Sequence, residues 1–268
     1  MTRLPVVADR FYPGDPTRLR QTLDDLIGPV QDTRKKKAKV VIAPHAGYVY
    51  SGGVAGETFA RVEIPETVII LGPNHHGHGE PVALGTEDWA MPMGKVAFAV
   101  DLAAAILKDS EVIVADNLAH KYEHSLEVQV PFLQYFQDKL AIVPIVVSHI
   151  SLKQCRQAAL EIARAVRAYD RDVLMVASTD MTHYESRHNA SIKDHLALKH
   201  ILNLDPQGLY NTVVTNRISM CGVIPTTITL MTAMELGAVK AELVRYTDSG
   251  EASGDTSQVV GYAGLVIS

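Results

Sequence analysis

Val68-Ile69-Ile70-Leu71-Gly72-Pro73-Asn74-His75-His76-Gly77-His78 is the stretch from which the rest of the chain is read. Four apolar residues closed off by Gly-Pro predict a buried strand, and the polar residues after it predict a loop at the strand's C-terminal end. Three histidines fall within four residues of that loop. Neutral imidazole is a common metal ligand and carries protons near neutral pH, so the loop is a candidate site.

Upstream, Val40-Val41-Ile42-Ala43 predicts a second apolar strand, followed at once by Pro44-His45-Ala46-Gly47-Tyr48. Between the two strands, residues 51–61 predict a helix whose Gly52, Gly53, Ala55 and Gly56 would let it lie close against a loop or ligand. Residues 40–71 therefore read as a strand-helix-strand unit with a right-handed parallel crossover. Before it, Asp15 and Pro16 predict an N-cap and first helical position. Leu19, Leu23, Leu26 and Ile27 keep helical spacing until Gly28. Arg34-Lys35-Lys36-Lys37-Ala38-Lys39 reads as a solvated basic connection.

Downstream, residues 88–94 read as a loop holding the only tryptophan, Trp89, whose expected role is packing. A short alanine-rich helix from Asp101 to about Lys108 and a short strand over 112–115 follow. Glu123 and Glu127 would share one face of a helix and could present a carboxylate or His124 to the site. Residues 142–147 predict a third strand ending in Ser148-His149. Ser151 with Gln154 forms a capping box for a helix to about Tyr169, with Cys155 on its apolar stripe as a core residue. Val173 to Ala177 predicts a fourth strand, running into Ser178-Thr179-Asp180-Met181-Thr182-His183. Two helices without evident chemistry, 189–203 and from Asp205-Pro206 to about 215, lead to Cys221. That cysteine lies just ahead of a helix over 226–235, where the dipole favours a thiolate. Strands over 239–246 and 259–267 flank a polar loop, 248–255.

The 268 residues, 47% hydrophobic, suffice for a large core and predict a single α/β domain over 1–268 with a central, largely parallel sheet and helices on both faces. A net charge of -5 argues against a nucleic-acid footprint. No run approaches a transmembrane span and the first residues lack the apolar core of a signal peptide, so the expected location is cytoplasmic. Two cysteines, Cys155 and Cys221, are too few for a disulfide framework.

Four strands thus end in loops bearing His45, His75-His76-His78, His149 and Asp180-His183, and in a parallel sheet those ends share one edge. Two or three histidines with a thiolate or carboxylate form a ligand set for Fe(II), Cu or Zn, with positions left open. The sequence has no HExxH, CxxC, glycine-rich phosphate loop or Gly-x-Ser-x-Gly elbow. A thiol mechanism, Cys221 with a base such as His183, is the competing arrangement. Which of His75 and His76 is the ligand, and whether Asp180 or Cys221 completes the set, is open at this level.

Ala43-Pro44-His45-Ala46-Gly47-Tyr48, Leu71-Gly72-Pro73-Asn74-His75-His76, Glu123-His124-Ser125-Leu126-Glu127, Ser178-Thr179-Asp180 with His183, and Cys221-Gly222 closely resemble the signature segments of the MEMO family. These are relatives of the mediator of ErbB2-driven cell motility, whose microbial members are called AmmeMemoRadiSam system protein B. Phe11-Tyr12-Pro13 and Gly261-Tyr262-Ala263-Gly264 resemble the family's two ends, so the resemblance spans the chain. It implies a fold like that of class III extradiol ring-cleaving (LigB-like) dioxygenases, which use non-haem iron. It also implies a mononuclear metal on His45, His75 and Cys221, with Asp180 and His183 lining the same pocket. The expectation is a dioxygenase-like oxidoreductase with Fe(II) or Cu, Zn being possible, in which His183 or His124 moves protons and Asp180 orients a histidine or the substrate. The thiolate in place of a carboxylate softens the site toward copper. The alternative is a non-catalytic metal-binding or peptide-binding adaptor. Expected partners are a small molecule or peptide, with a functional link to radical-SAM and AMMECR-type proteins.

Overall fold

Alternation along the apolar strands creates two cores, one on each side of the sheet they form. The computed structural model describes residues 2–29 and 35–268. In chain order its elements are β1 (Thr2–Arg3), α1 (Pro16–Ile27), β2 (Val40–Ala43), α2 (Tyr48–Phe59), β3 (Thr67–Pro73), β4 (Val82–Leu84), β5 (Asp88–Met91), β6 (Gly94–Phe98), α3 (Val100–Leu107), β7 (Val114–Ala115), a 3-10 turn (Glu127–Gln129), α4 (Val130–Phe136), β8 (Ala141–Val147), α5 (Leu152–Ala168), β9 (Val173–Ser178), β10 (His183–Glu185), α6 (Arg187–Leu202), α7 (Pro206–Thr215), α8 (Val223–Glu235), β11 (Ala241–Asp248), α9 (Gly250–Ser253) and β12 (Val259–Ile267).

β8, β3, β9 and β2 lie side by side and parallel, and β12 runs antiparallel along β2. β10 and β11 join β12 antiparallel, while β4 and β6 share the outer edge of β8. β2 and β3 are parallel as the strand-helix-strand reading requires, but β9 is inserted between them. Ile42, Leu71, Ile145 and Met175 point into the core beneath α3 and α5–α8. Val41, Ile70, Ile142 and Val176 point into the core beneath α1, α2 and α4. Each such fully buried Ile or Leu contributes about 2 kcal/mol of hydrophobic stabilisation. The expected α/β architecture, with helices on both faces, is what forms.

Helix ends follow their caps. Asp15 accepts from Arg18 N at 2.8 Å, Pro16 opens α1, and Gly28 closes it at φ +65°. Ser151 and Gln154 form the capping box of α5, and Cys155 is fully buried on its inner face.

Several local expectations are corrected. The presumed loop at 88–94 is a hairpin, β5 paired with β6, and Trp89 is buried in it. Its ring packs against a guanidinium and a histidine, which stabilises a pairing too short for sequence alternation to reveal. The glycine face of α2, which starts at Tyr48, packs on α1 and not on a site loop: a Cβ on Gly56 would sit 2.7 Å from the Leu26 carbonyl oxygen, so the glycine admits α1. Glu123 and Glu127 are both buried and share no helix face, because the chain is helical only from the 3-10 turn onward. The polar segment 248–255 contains the short α9. In the basic run, Lys36 and Lys37 are exposed and pair with Glu242 and Asp172, while Arg34 lies outside the described residues.

Candidate metal centre

Registry places the site. Ala43 pairs with Ser178 and Leu71 with Ala177, so the loops after β2, β3 and β9 leave one edge of the sheet at one level. The segment before α8 reaches the same edge. Gly222 donates to Thr179 Oγ1 at 3.0 Å, and a Cβ there would fall 2.4 Å from the Thr179 Cβ. Only glycine lets the chain pass this close and set Cys221 over the strand ends. One donor atom each from His45, His75 and Cys221 lie within 4.8 Å of one another. His76 and His78, exposed like His75, lie outside this cluster, with ring centres 6.1 Å apart beside Tyr122. His149 is also exposed and outside the cluster, because β8 lies beyond β3 from the converging loops.

Hydrogen bonding fixes the tautomers of the two clustered histidines. The Ser178 hydroxyl gives its only proton to the Ser125 carbonyl at 2.6 Å, so it can only accept from Gln129 Nε2 and from His45 Nδ1, each at 2.8 Å. His45 therefore carries Nδ1–H and turns a bare Nε2 toward the Cys221 sulfur, 3.4 Å away. His75 Nδ1 donates to Glu123 Oε1 at 2.9 Å, and its backbone N–H to Oε2 at 2.7 Å. The same carboxylate accepts the backbone N–H groups of His124 and Ser125 at 2.9 and 2.8 Å. Such carboxylate-held imidazoles are typical of metal sites, where the second nitrogen ligates.

His183 follows the same pattern at the rim, with Nδ1 donating to the Ser219 carbonyl at 2.9 Å and no hydrogen-bond partner at Nε2 among the described residues. Asp180 is buried, and its Oδ1 accepts the His45 backbone N–H at 2.8 Å, so it braces the loop carrying that histidine. It is not among the groups whose donor atoms converge. His124 stacks on His75 with centroids 4.6 Å apart, and the Phe11 ring meets its edge.

The electrostatics follow from burial. Desolvation, reinforced by His75 and His124, holds His45 well below the usual imidazole value. Burial likewise lowers His124, to about 4, against the pull of Glu123. At His75 burial is outweighed by the hydrogen bond and charge of Glu123, and its pKa is raised. Glu123 is held far below the usual carboxylate range because the His75 contacts and the Ser125 N–H outweigh its burial. Asp180 is raised by burial. Cys221 is pushed up by burial and by Asp180, more than the N–H groups of Asp180 and Gly222 lower it. The expected dipole-favoured thiolate is thus corrected: without a cation beside it the sulfur keeps its proton. A metal ion would remove that proton outright.

A family model for Memo-like proteins matches residues 3–266. The chain belongs to the MEMO family. MEMO1 family proteins of Methanopyrus kandleri and Aquifex aeolicus are each 40% identical to it, with 99% and 98%, respectively, of both chains covered. One from Sulfurisphaera tokodaii is 41% identical, over 98% of both. Sequence reasoning chose His45 and Cys221 without knowing what aims them. Ser178, Gln129 and Ser219 passed as ordinary polar residues. The one available signal was that Ser178 closes an apolar strand, where a hydroxyl has only local partners.

Proposed function

We propose that the pocket binds one transition-metal ion through His45 Nε2, His75 Nε2 and Cys221 Sγ, and that it serves a redox reaction on a small molecule or peptide. The observation that carries this reading is the double tautomer lock. Ser178 and Glu123 each consume an Nδ1–H, which leaves two imidazole lone pairs beside one sulfur, with His45 Nε2 3.4 Å from Cys221 Sγ. Two imidazole nitrogens with one sulfur suit Fe(II), Cu or Zn, and the thiolate tilts the set toward copper. When bound, the ion supplies redox or Lewis-acid chemistry at its remaining positions. Asp180 keeps the His45 loop in place. His183 Nε2 is available to take or return a proton at the rim, and His124, neutral at pH 7, offers a second acceptor.

A Cys-His nucleophile is the weaker account. Both Cys221 and His45 are shifted toward their neutral forms by burial, which opposes the thiolate-imidazolium pair that such a mechanism needs. A cytoplasmic setting and a link to radical-SAM and AMMECR-type proteins belong to the same proposal, supported by family membership. No helix among the described residues is long and apolar enough to cross a membrane.

The test is elemental analysis of protein purified without chelator, followed by anaerobic titration with Fe(II) and Cu(I) and then exposure to dioxygen. One equivalent of metal, lost in His45→Ala and Cys221→Ser, with oxygen consumed on turnover, is the expected result. Tight metal without oxygen reactivity would favour the adaptor reading. No metal dependence on either residue would end the metalloenzyme reading.

A further inference from the structure

We infer that Arg3 is a positioning residue for this metal pocket, acting through Glu123 on His75; the inference rests on the metal reading above. The Arg3 side chain is 5% exposed, and its guanidinium lies 4.2 Å from the Trp89 ring centre. Its three nitrogens reach one segment of chain at three points. Nε donates to the His120 carbonyl at 2.8 Å, Nη2 to the Glu123 carbonyl, and Nη1 to Glu127 Oε2 at 2.8 Å. Glu127 is held in turn by the Val6 and Val7 N–H groups and by the Tyr12 hydroxyl at 2.7 Å. The planar fork of arginine, lying over an indole, can serve three acceptors in fixed directions; an ammonium cannot.

That segment carries the metal site's bracket. The backbone oxygen of Glu123 is bound to Arg3, and its carboxylate accepts the backbone N–H and the Nδ1–H of His75, so only one residue separates the guanidinium from the proposed ligand imidazole. A shift of the 120–127 backbone would move the carboxylate off Nδ1 and free His75 to turn. A buried Arg-Glu pair that merely closes the first strand onto the fold would stabilise the protein too, but would leave metal affinity untouched. Residue 3 thus sets ligand geometry without approaching the metal.

The experiment is anaerobic optical titration with Co(II) of the wild type, Arg3→Met, Arg3→Lys, Glu123→Gln and the Arg3→Met/Glu123→Gln double variant. Thermal unfolding is followed in parallel, with Cys155→Ser as a control destabilised elsewhere. The wild type should show a thiolate-to-cobalt band that Cys221→Ser lacks. Arg3→Met should bind Co(II) about tenfold or more weakly, as loss of an outer partner of a ligand does. The double variant should be no more than about twofold weaker than Glu123→Gln alone, since Arg3 acts through that carboxylate. Cys155→Ser should bind as the wild type does. If Arg3→Met does not fold, Arg3→Lys decides, because it keeps a charge for Glu127 but cannot span three acceptors. Binding within twofold of wild type, or fully additive losses, overturns the inference while leaving the metal site standing. Absence of a Cys221-dependent band in the wild type overturns the metal reading itself.

Discussion

Replacing Ser178 by alanine tests the tautomer lock directly. Ser178 is fully buried, and its hydroxyl satisfies three groups at once: the Ser125 carbonyl, Gln129 Nε2 and His45 Nδ1. Gln129 keeps a second contact, with the Pro44 carbonyl at 2.9 Å, so its loss is partial. The Ser125 carbonyl and the His45 N–H lose their partner, at about 1 to 2 kcal/mol each for a buried orphan, giving about 3 kcal/mol of lost stability in the metal-free protein. His45 can relieve part of this by carrying its proton on Nε2 instead. That atom is the proposed ligand, so metal binding would then have to reverse the tautomer, and affinity should fall about ten- to hundredfold. Urea unfolding measures the first quantity and competition with a chelator for Co(II) the second. Nitrogen-15 spectra of the imidazoles should show His45 as Nδ1–H in the metal-free wild type and shifted toward Nε2–H in the variant. Full metal affinity in Ser178→Ala, or an Nε2–H tautomer in the wild type, would refute the reasoning.

Gly222→Ala should cost about 1 to 3 kcal/mol and displace Cys221, since the new Cβ meets Thr179 Cβ at 2.4 Å and the Ser178 carbonyl at 2.5 Å; loss of the thiolate-to-cobalt band alongside a lower unfolding midpoint checks it. Cys155→Ser places a hydroxyl in a fully buried apolar stripe and should lower stability by about 1 to 3 kcal/mol with metal stoichiometry unchanged, measured by denaturation and elemental analysis. His120 is fully buried, and burial, with Arg3 adding to it, lowers its pKa from 6.5 to about 4 despite the Ala83 carbonyl. A depressed histidine contributes stability that is full above pH 6.5 and lost as pH falls toward 4, so about 2 kcal/mol should be gone at pH 5. Urea titrations at pH 7.5 and 5 should show this extra loss in the wild type and not in His120→Gln, which keeps a donor for Ala83 but does not titrate.

The parallel core was legible because β2, β3, β8 and β9 are apolar at nearly every position, a pattern that demands cover on both faces and puts all four C-terminal ends on one edge. That pattern brought the loop of His45 and the loop of His75 to one edge, as it did the loop of His149, which stays outside the cluster. What stayed hidden depends on contacts between residues far apart in sequence. The choice of His75 over His76 is made by Glu123, 48 positions away, and the tautomer of His45 by Ser178, 133 positions away. Periodicity carries no such information, since a serine ending a strand and a glutamate in a turn look the same whether they face water or an imidazole. The state of Cys221 was hidden for the same reason: the helix following it was visible in the sequence, but the burial and the Asp180 charge that push its pKa up were not. The residues that bear the proposed ligand atoms are therefore readable from pattern, while the groups that hold them, Ser178 and Glu123, and Arg3 behind Glu123, emerge only when the acceptors of each buried N–H are traced one by one. In this pocket the aiming residues are what favour the proposed metal centre over a loop that happens to hold histidines.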